Sequence, residues 1–359
     1  MKNNDRKLGD YIQPVDVRNN DLSVTHLLGV SVEKRFIESI ANTIGTDFSK
    51  YKIVKKGQFT YIPDTSRRGD KIGIALLTDY DEGLVSNIYT VFEITDTSKL
   101  LPEYLMLWFS RPEFDRYARY KSHGSVREIF DWDEMCRVEL PVPPLNEQQK
   151  IVDTYNAITN RIRIKQKINE NLEKTAQAIY RKNTKEFIGD KITVTVEDYC
   201  NIFTGKKDVN QALESGKYKF FSCSPIYLYS NDFIYDGKAV LVAGNGSYTG
   251  RTTFVDEAFD LYQRTYAITP KNKFDKMIYM ICMSFKTDFQ KNMEQKLHGS
   301  AIPYIVYDNL AKHSFDLNSK WENDAEIIEK ILKDIKENEL ELIKLNQLKQ
   351  LVVSQISKR

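Results

Sequence analysis

Histidine occurs four times in the 359 residues, and two of the four stand in the same tripeptide: His123-Gly124-Ser125 and His298-Gly299-Ser300. His beside Ser is the raw material of nucleophilic catalysis. An imidazole takes the hydroxyl proton, an acid orients the imidazole, and backbone N–H groups hold the oxyanion. Side chains two positions apart in a turn do not normally face each other, and no G-x-S-x-G accompanies either copy. Each tripeptide instead follows directly on a helical pattern, and Gly just past a helix end supplies the backbone freedom with which helices stop. The bland reading is a helix-ending turn that comes twice.

Other chemistry finds little support. Cys136, Cys200, Cys223 and Cys282 are far apart and form no CxxC pair, so neither a zinc site nor a disulfide framework is suggested, and a reducing, cytoplasmic setting fits. "GNGSYTGRT" (244–252) has phosphate-loop composition without the spacing, and Arg251 stands where Lys is needed. The acidic/Asn-Pro-Pro-aromatic signature of an amino-methyltransferase is absent, the only Pro-Pro being in "PVPPLN". No apolar run reaches the length of a membrane span, and "MKNNDRKLGDYI" has no signal-peptide core, so export is not expected.

The tripeptide sets a repeat register. A shift of 175 (298 − 123) superposes residues 114–142 without a gap: Phe114 on Phe289, Lys121 on Lys296, Trp132 on Tyr307, Asp133 on Asp308, Val142 on Leu317. Upstream, with small gaps, "VFEIT" (91–95) meets "TYAIT" (265–269), and "GDYI" (9–12) meets "EDYC" (197–200). "KGQFTYIPDTSRRGDK" (56–71) meets "DGKAVLVAGNGSYTGR" (236–251). A period this long is no solenoid unit and implies two similar domains. Each opens with short strand-like runs broken by Gly, Asn and Asp, followed by a helix, 102–120 and 274–297.

Each domain then leads into a long helix. In the first, Asn146 is placed as N-cap with Gln149 three residues on. The apolar seam is Ile151, Tyr155, Ile158, Ile162, Leu172, Ala176 and Ile179, interrupted by Lys165 and Asn169. The second starts at Ser319 with Glu322 at capping-box spacing. Its seam is Ile328, Ile331, Ile335, Leu342, Leu345, Val352 and Ile356, interrupted by Asn338 and Lys349. Two heptad seams in one chain predict that the helices pair, with a polar Asn in each fixing register. At ~1.5 Å per residue, about 38 residues make a spacer of roughly 57 Å. The expected architecture is α+β: two similar globular domains (1–145 and 188–318) and two spacer helices (146–187 and 319–359) pairing as an antiparallel coiled coil, with pseudo-two-fold repetition. An approximate two-fold of this kind matches a DNA duplex.

"LPVPPLNEQQKIVDTYNAITNRIRIKQKINENLEKTAQAIYRK" (140–182) resembles the central helical region of the specificity subunits of Type I restriction–modification systems, and the whole chain has that family's layout. The second helix lacks the prolines of the motif. The resemblance implies a subunit without catalysis of its own, in which each domain reads one half of a split target in double-stranded DNA. The paired helices then set the spacing and bind two modification subunits, which methylate adenine at N6 with S-adenosylmethionine. Restriction subunits, using ATP and Mg, would cleave. Those cofactors belong to the partners, and none is expected on this chain.

The residues that would read DNA need donors and acceptors on base edges or phosphates. The aligned loops 64–71 and 244–251 come first, offering Arg67, Arg68 and Lys71 in one and Asn245, Ser247, Tyr248 and Arg251 in the other. Same place and different chemistry is what two domains reading different half-sites require; the bland alternative is a solvated hairpin. Second come Ser86, Asn87 and Tyr89, aligned with Tyr262, Gln263 and Arg264, whose tyrosines are equally suited to a core. The repeated turn offers Lys121, His123, Ser125 and Arg127, and Lys296, His298 and Ser300, for phosphate. Lys206 and Lys207 complete the set, as phosphate contacts or as a solvated pair. A net charge of +2 adds little to the argument for DNA. The alternatives are a specificity subunit of another restriction class, an unpaired specificity protein, or a coiled-coil adaptor that never touches DNA.

Overall fold

The computed structural model describes residues 5–39, 45–65, 71–124, 128–271, 273–292 and 303–356. Its contacts divide the chain into two units, 1–163 with 343–359, and 164–342. Each long helix is therefore shared between the units.

The first unit contains β1 (Asp5–Lys7), β2 (Ile12–Val15), β3 (Leu28–Val30), β4 (Phe36–Glu38), β5 (Lys52–Lys55), β6 (Phe59–Tyr61), β7 (Ile74–Leu76), β8 (Glu82–Val85) and β9 (Thr90–Ile94). Then come α1 (Pro102–Phe109), α2 (Pro112–Lys121), α3 (Trp132–Arg137), β10 (Glu139–Pro141) and the start of α4 (Leu145–Arg181). The helix expected over 102–120 is two helices. Pro112 has no N–H to continue the first and is at home in the first turn of the second. The second unit contains β11 (Ile192–Thr195), α5 (Val196–Tyr199), β12 (Cys200–Thr204), β13 (Tyr218–Phe221), β14 (Leu228–Ser230), β15 (Tyr235–Ala243), β16 (Thr252–Leu261) and β17 (Thr265–Pro270). It continues with α6 (Met277–Ser284), α7 (Tyr307–Ala311), β18 (Ser314–Leu317) and the start of α8 (Trp321–Gln355). The helix expected from 274 begins at Met277 and gives way to a wider turn at Phe285–Phe289.

The two units share one strand order. In the first, β2-β9-β6-β7 form an antiparallel sheet. In the second, β12-β17-β15-β16 repeat it, and β13 and β14 extend the edge. The short pairs β1–β10 and β11–β18 also correspond. α1 and α6 begin 175 residues apart (277 − 102), as do α3 and α7 (307 − 132). The repeat legible in sequence is thus a repeat of topology.

Alternation sets the two sides of the second sheet. Ala239 and Leu241 join Val255, Phe259, Leu261 and Ala267 in one apolar cluster. Val240, Val242 and Ile268 face the other way, onto α6. α6 is buried on all sides, which fits "MIYMICMS", apolar around its circumference. In the first unit Phe59, Phe92, Phe109 and Phe114 make the equivalent centre, closed by Val152 of α4 and Ile356 beyond α8.

The seam residues of α4 and α8 are buried or half-buried throughout. In the second unit the seam interruptions meet: Lys165 Nζ donates to Asn338 Oδ1 at 2.7 Å and pairs with Glu341 at 2.8 Å, while Asn338 Nδ2 donates to Asn169 Oδ1 at 2.7 Å. Asn183 Nδ2 donates to Asn318 and Asp324 near the other end, so the helices run antiparallel. In the first unit the Lys349 ammonium lies 5.7 Å from the Tyr155 ring centre, the same sense of pairing.

The caps differ from expectation. α4 starts at Leu145, one residue before Asn146. Its anchor is the buried Gln148, which donates to Lys99 O and Pro143 O and accepts from Leu101 N, whereas Gln149 pairs with Asp153. α8 starts at Trp321 and is capped by Asn318, not Ser319. Asn318 Oδ1 accepts from Lys320 N, and Asn318 O accepts from Trp321 N. A cap that also bonds Asn183 in the core excludes water from the junction, which a solvent-facing Ser319 cannot do.

Candidate nucleic-acid interface

In the first unit the recognition loop is held at its entry by the helix-ending turn. α2 stops at Lys121, and Ser122 has already left helical geometry (φ −73, ψ 135). His123 and Ile129 exchange backbone hydrogen bonds, and Gly124, at φ +140, makes the reversal possible. His123 and Gly124 therefore leave the helix as the chain turns back to pair with Ile129; Ser125 and the second HGS lie outside the described residues. Thr65 N donates to Glu128 O, and Thr65 Oγ1 to Ser122 Oγ at 2.9 Å. Arg119 ties the same place, donating to Thr65 O at 3.0 Å and pairing with Glu128 at 2.7 Å. The first loop thereby sits beside the repeated turn.

At its exit the loop is held by charge. Asp115 Oδ1 accepts from Ile72 N at 3.1 Å and pairs with the Lys34 ammonium at 2.7 Å. Lys34 also donates to Phe109 O. It adopts φ +60, unusual for a side-chain-bearing residue, and only 8% of its side chain is exposed. Burial pulls the Lys34 ammonium below its usual pKa, and Asp115 opposes that pull. Lys71 pairs with Glu33 at 3.0 Å. These groups border a cleft of about 800 Å³ whose walls include Arg116, Arg119 and Tyr120.

Of the residues expected to read DNA here, Lys71, Asn87 and His123 are exposed, and Ser86 and Lys121 are half-buried. Tyr89 is half-buried and packs against Val30, Ile62 and Ala75. Arg67, Arg68, Ser125 and Arg127 lie outside the described residues, as do Lys296, His298 and Ser300 in the second unit.

The corresponding loop of the second unit is shorter. Ile62 N donates to Gly73 O and Ala243 N to Arg251 O, so the loops run over 63–72 and 244–250. Thr65 N→Glu128 O and Gly246 N→Pro303 O put Thr65 on Gly246, a shift of 181 (246 − 65) where the alignment of 56–71 with 236–251 uses 180. Gly246 and Gly250 have φ near +80, and Thr249 N and Oγ1 both donate to Gly246 O, closing a tight turn. The turn presents Ser247 and Tyr248 to solvent.

Three expected contacts are spent inside the second unit. Arg251 is half-buried; it donates to Thr253 Oγ1 at 3.0 Å and to Ser224 O. Burial holds its pKa below the ordinary arginine value. The bond to Ser224 O ties it to the tip between β13 and β14. Lys207 pairs with the buried Asp260 at 2.6 Å and donates to Ser230 Oγ at 3.0 Å, an arrangement that raises its pKa. Gln263 Nε2 donates to Asp208 at 2.9 Å. Tyr262 is half-buried, while Lys206 and Arg264 are exposed. Asn245 and Arg264 are brought together by Cys223, whose thiol donates to Asn245 Oδ1 at 3.2 Å and to Arg264 O at 3.3 Å.

The sequence reading missed this neighbour. Residues 222–226, the tip between β13 and β14, touch the recognition loop through Cys223 and Ser224. The one available signal is "SCSPI", turn-forming residues between two aromatic runs.

A family model for the Type I restriction modification DNA specificity domain matches residues 2–174 and again residues 189–351. The chain belongs to that family. Its specificity domains are recognition modules, and the two matches coincide with the two copies of the shared strand order. The Type I restriction enzyme EcoDI specificity subunit of Escherichia coli is 32% identical over 163 residues, 44% of this chain and 34% of that protein. The HindI specificity subunit of Haemophilus influenzae is 28% identical over 132 residues, 36% of this chain and 28% of that protein. The matched stretches thus span about a third of each of these relatives. Among solved structures, the S subunit of a Type I restriction–modification system from M. genitalium superposes with a TM-score of 0.64 at 13% identity, covering 98% of this chain and 95% of that one, a likeness of fold.

Among the described residues, no helix is long and apolar enough to cross a membrane, and no group of three or more His, Cys, Asp or Glu is placed to hold a metal ion.

Proposed function

We infer that this chain is the sequence-reading subunit of a Type I restriction–modification complex. Each specificity domain reads one half of a split, asymmetric target in double-stranded DNA. The observation that carries this is one scaffold used twice, with a loop at the same place in both copies and different chemistry on it. A loop that keeps its place while its donors and acceptors change is what reading two different half-sites requires.

The recognition domains are residues 1–145 and 188–318, and the helices 146–187 and 319–359 are spacers. Lys165, Asn169, Asn338 and Glu341 support the spacer role. A half-buried polar layer holds one register at some cost in stability, and register sets the separation of the two half-sites. The base-reading groups are Arg67 and Arg68 in one domain and Asn245, Ser247, Tyr248 and Arg264 in the other. Lys71, Ser86, Asn87, Lys121, His123, Lys206 and Lys296 serve register and phosphate. Two modification subunits dock on the helices and bring S-adenosylmethionine, and restriction subunits bring ATP and Mg. The complex works in the cytoplasm.

Base-modification mapping in the native cell, with and without the gene, tests the reading. Adenine methylation at a two-part motif should vanish on deletion. Unchanged methylation, or methylation by the isolated chain, would sink it.

A further inference from the structure

We propose that the tip of the β13–β14 hairpin, residues 222–226, is a further base-reading element of the second domain, with Ile226 set to meet the 5-methyl group of a thymine in the major groove. The proposal rests on the reading of DNA by that domain and adds an element to it.

The same hairpin exists in both units. β13 runs parallel to β16, with Lys219 opposite Phe259. In the first unit Leu27 pairs in parallel with Leu84, and 84 + 175 is 259. β3–β4 and β13–β14 are then the same antiparallel hairpin on the same strand position. Both tips are fastened to the neighbouring recognition loop, by different chemistry. In the first, Glu33 pairs with Lys71 at 3.0 Å. In the second, Arg251 donates to Ser224 O, and Cys223 to Asn245 Oδ1. A tip that recurs, stays attached to the reading loop and changes its chemistry meets the criterion that singled out the loop itself.

The second tip is also preorganised. Ser222 Oγ accepts from Ser224 N at 3.1 Å, and Ser224 Oγ accepts from Ile226 N at 3.2 Å. Pro225 fixes its own φ between them. This rigid turn leaves Ile226 74% exposed, so it is not packing the fold. Cys223 of the same tip touches Asn245 Oδ1 and the backbone O of Arg264, two residues whose side chains carry the donors and acceptors that suit adenine and guanine edges. The major groove offers one apolar feature among those polar edges, the thymine methyl, and an exposed isoleucine on a rigid turn fastened to Asn245 is matched to it.

The test uses the full chain assembled with the modification subunit of its own system, and duplexes carrying the mapped target. Each thymine of the half-site read by the second domain is replaced in turn by uracil, which deletes only the methyl. Wild type should lose about three- to tenfold in affinity at one position. Ile226→Ala should lose the same factor on the thymine duplex and become indifferent to uracil there. Ile226→Asn should lose affinity for thymine at that position while recognition of the other half-site stays unchanged, which also shows that the variants fold. A half-site without thymine, no uracil effect in wild type, or an undiminished uracil effect in Ile226→Ala overturns the proposal while DNA reading stands. Binding without sequence preference brings down both.

Discussion

In the first unit the ground around the recognition loop is held by charge. Asp115 receives Lys34 and Ile72 N, Glu33 receives Lys71, and Arg119 bridges Thr65 and Glu128. In the second unit the same ground is held by dipoles and one half-buried guanidinium: Cys223 to Asn245, Arg251 to Ser224 O, and Thr249 to Gly246 O. The cores diverge in the opposite sense. Phe109 and Val138 are buried apolar residues of the first unit, and their counterparts 175 residues on are Ser284 and His313, hydrogen bonded at 2.8 Å in the core of the second. What stays constant is strand order and helix spacing. A half-buried sheet constrains period and volume, and many side-chain sets satisfy those. Loop fastenings are free to follow whatever the loop must face.

The largest test of the contrast is Lys34→Met. It leaves Asp115 buried without its cation and should cost the first unit about 3–5 kcal/mol. Lys34→Met with Asp115→Asn, which removes both charges and keeps an acceptor for Ile72 N, should recover most of that. Trp108 and Trp132 report on the first unit and Trp321 on the second, so fluorescence-detected denaturation assigns the loss. A comparable loss from Cys223→Ala, read at Trp321, would erase the distinction between charged and neutral fastening.

Next, Arg67→Ala with Arg68→Ala should lower specific affinity roughly a hundredfold, about 2–3 kcal/mol, with relaxed recognition of one half-site only. Asn245→Ala should act on the other half-site. Methylome sequencing of each variant decides, and an effect spread over both half-sites would break the one-domain, one-half-site reading.

Within the core, Ser284→Ala should cost about 1–2 kcal/mol at Trp321 by removing one hydrogen bond to a buried imidazole. Ser284→Ala with His313→Val, moving towards the apolar choice of the first unit, should regain part of it. The smallest effect is expected from Lys121→Ala, which should weaken binding to all sequences alike and reduce the salt slope by about 1. A change confined to one base position would make Lys121 a reader instead.

Much of the fold was legible because periodicity survives in a single chain. His123 and His298 set the register of the two domains, and the apolar seams from Ile151 and Ile328 showed the two long helices and their pairing. Lys165, Asn169 and Asn338 were visible as breaks in the seams, and they meet in the structure. The recognition site was legible only as loops. Residue types place Arg251 and Lys207 with Arg67 as candidate DNA contacts, yet Arg251 is spent on Ser224 O and Lys207 on Asp260. Tyr89 is half-buried against the Val30–Ile62–Ala75 cluster, and residue type alone does not show that packing.

Local chemistry therefore determined what repeats in this protein: helix stops, apolar seams and strand alternation, each governed by neighbours within a few residues. Tertiary structure alone decided the long-range partners. Asn318 caps α8 because Asn183, 135 residues earlier, meets it in a dry junction. Arg251 bonds Ser224 O, 27 residues earlier, a partner no local pattern names. A hydrogen bond between distant residues leaves no period in the sequence, and whether a charged side chain faces solvent or an internal acceptor is fixed only when the chain brings that acceptor within 3 Å.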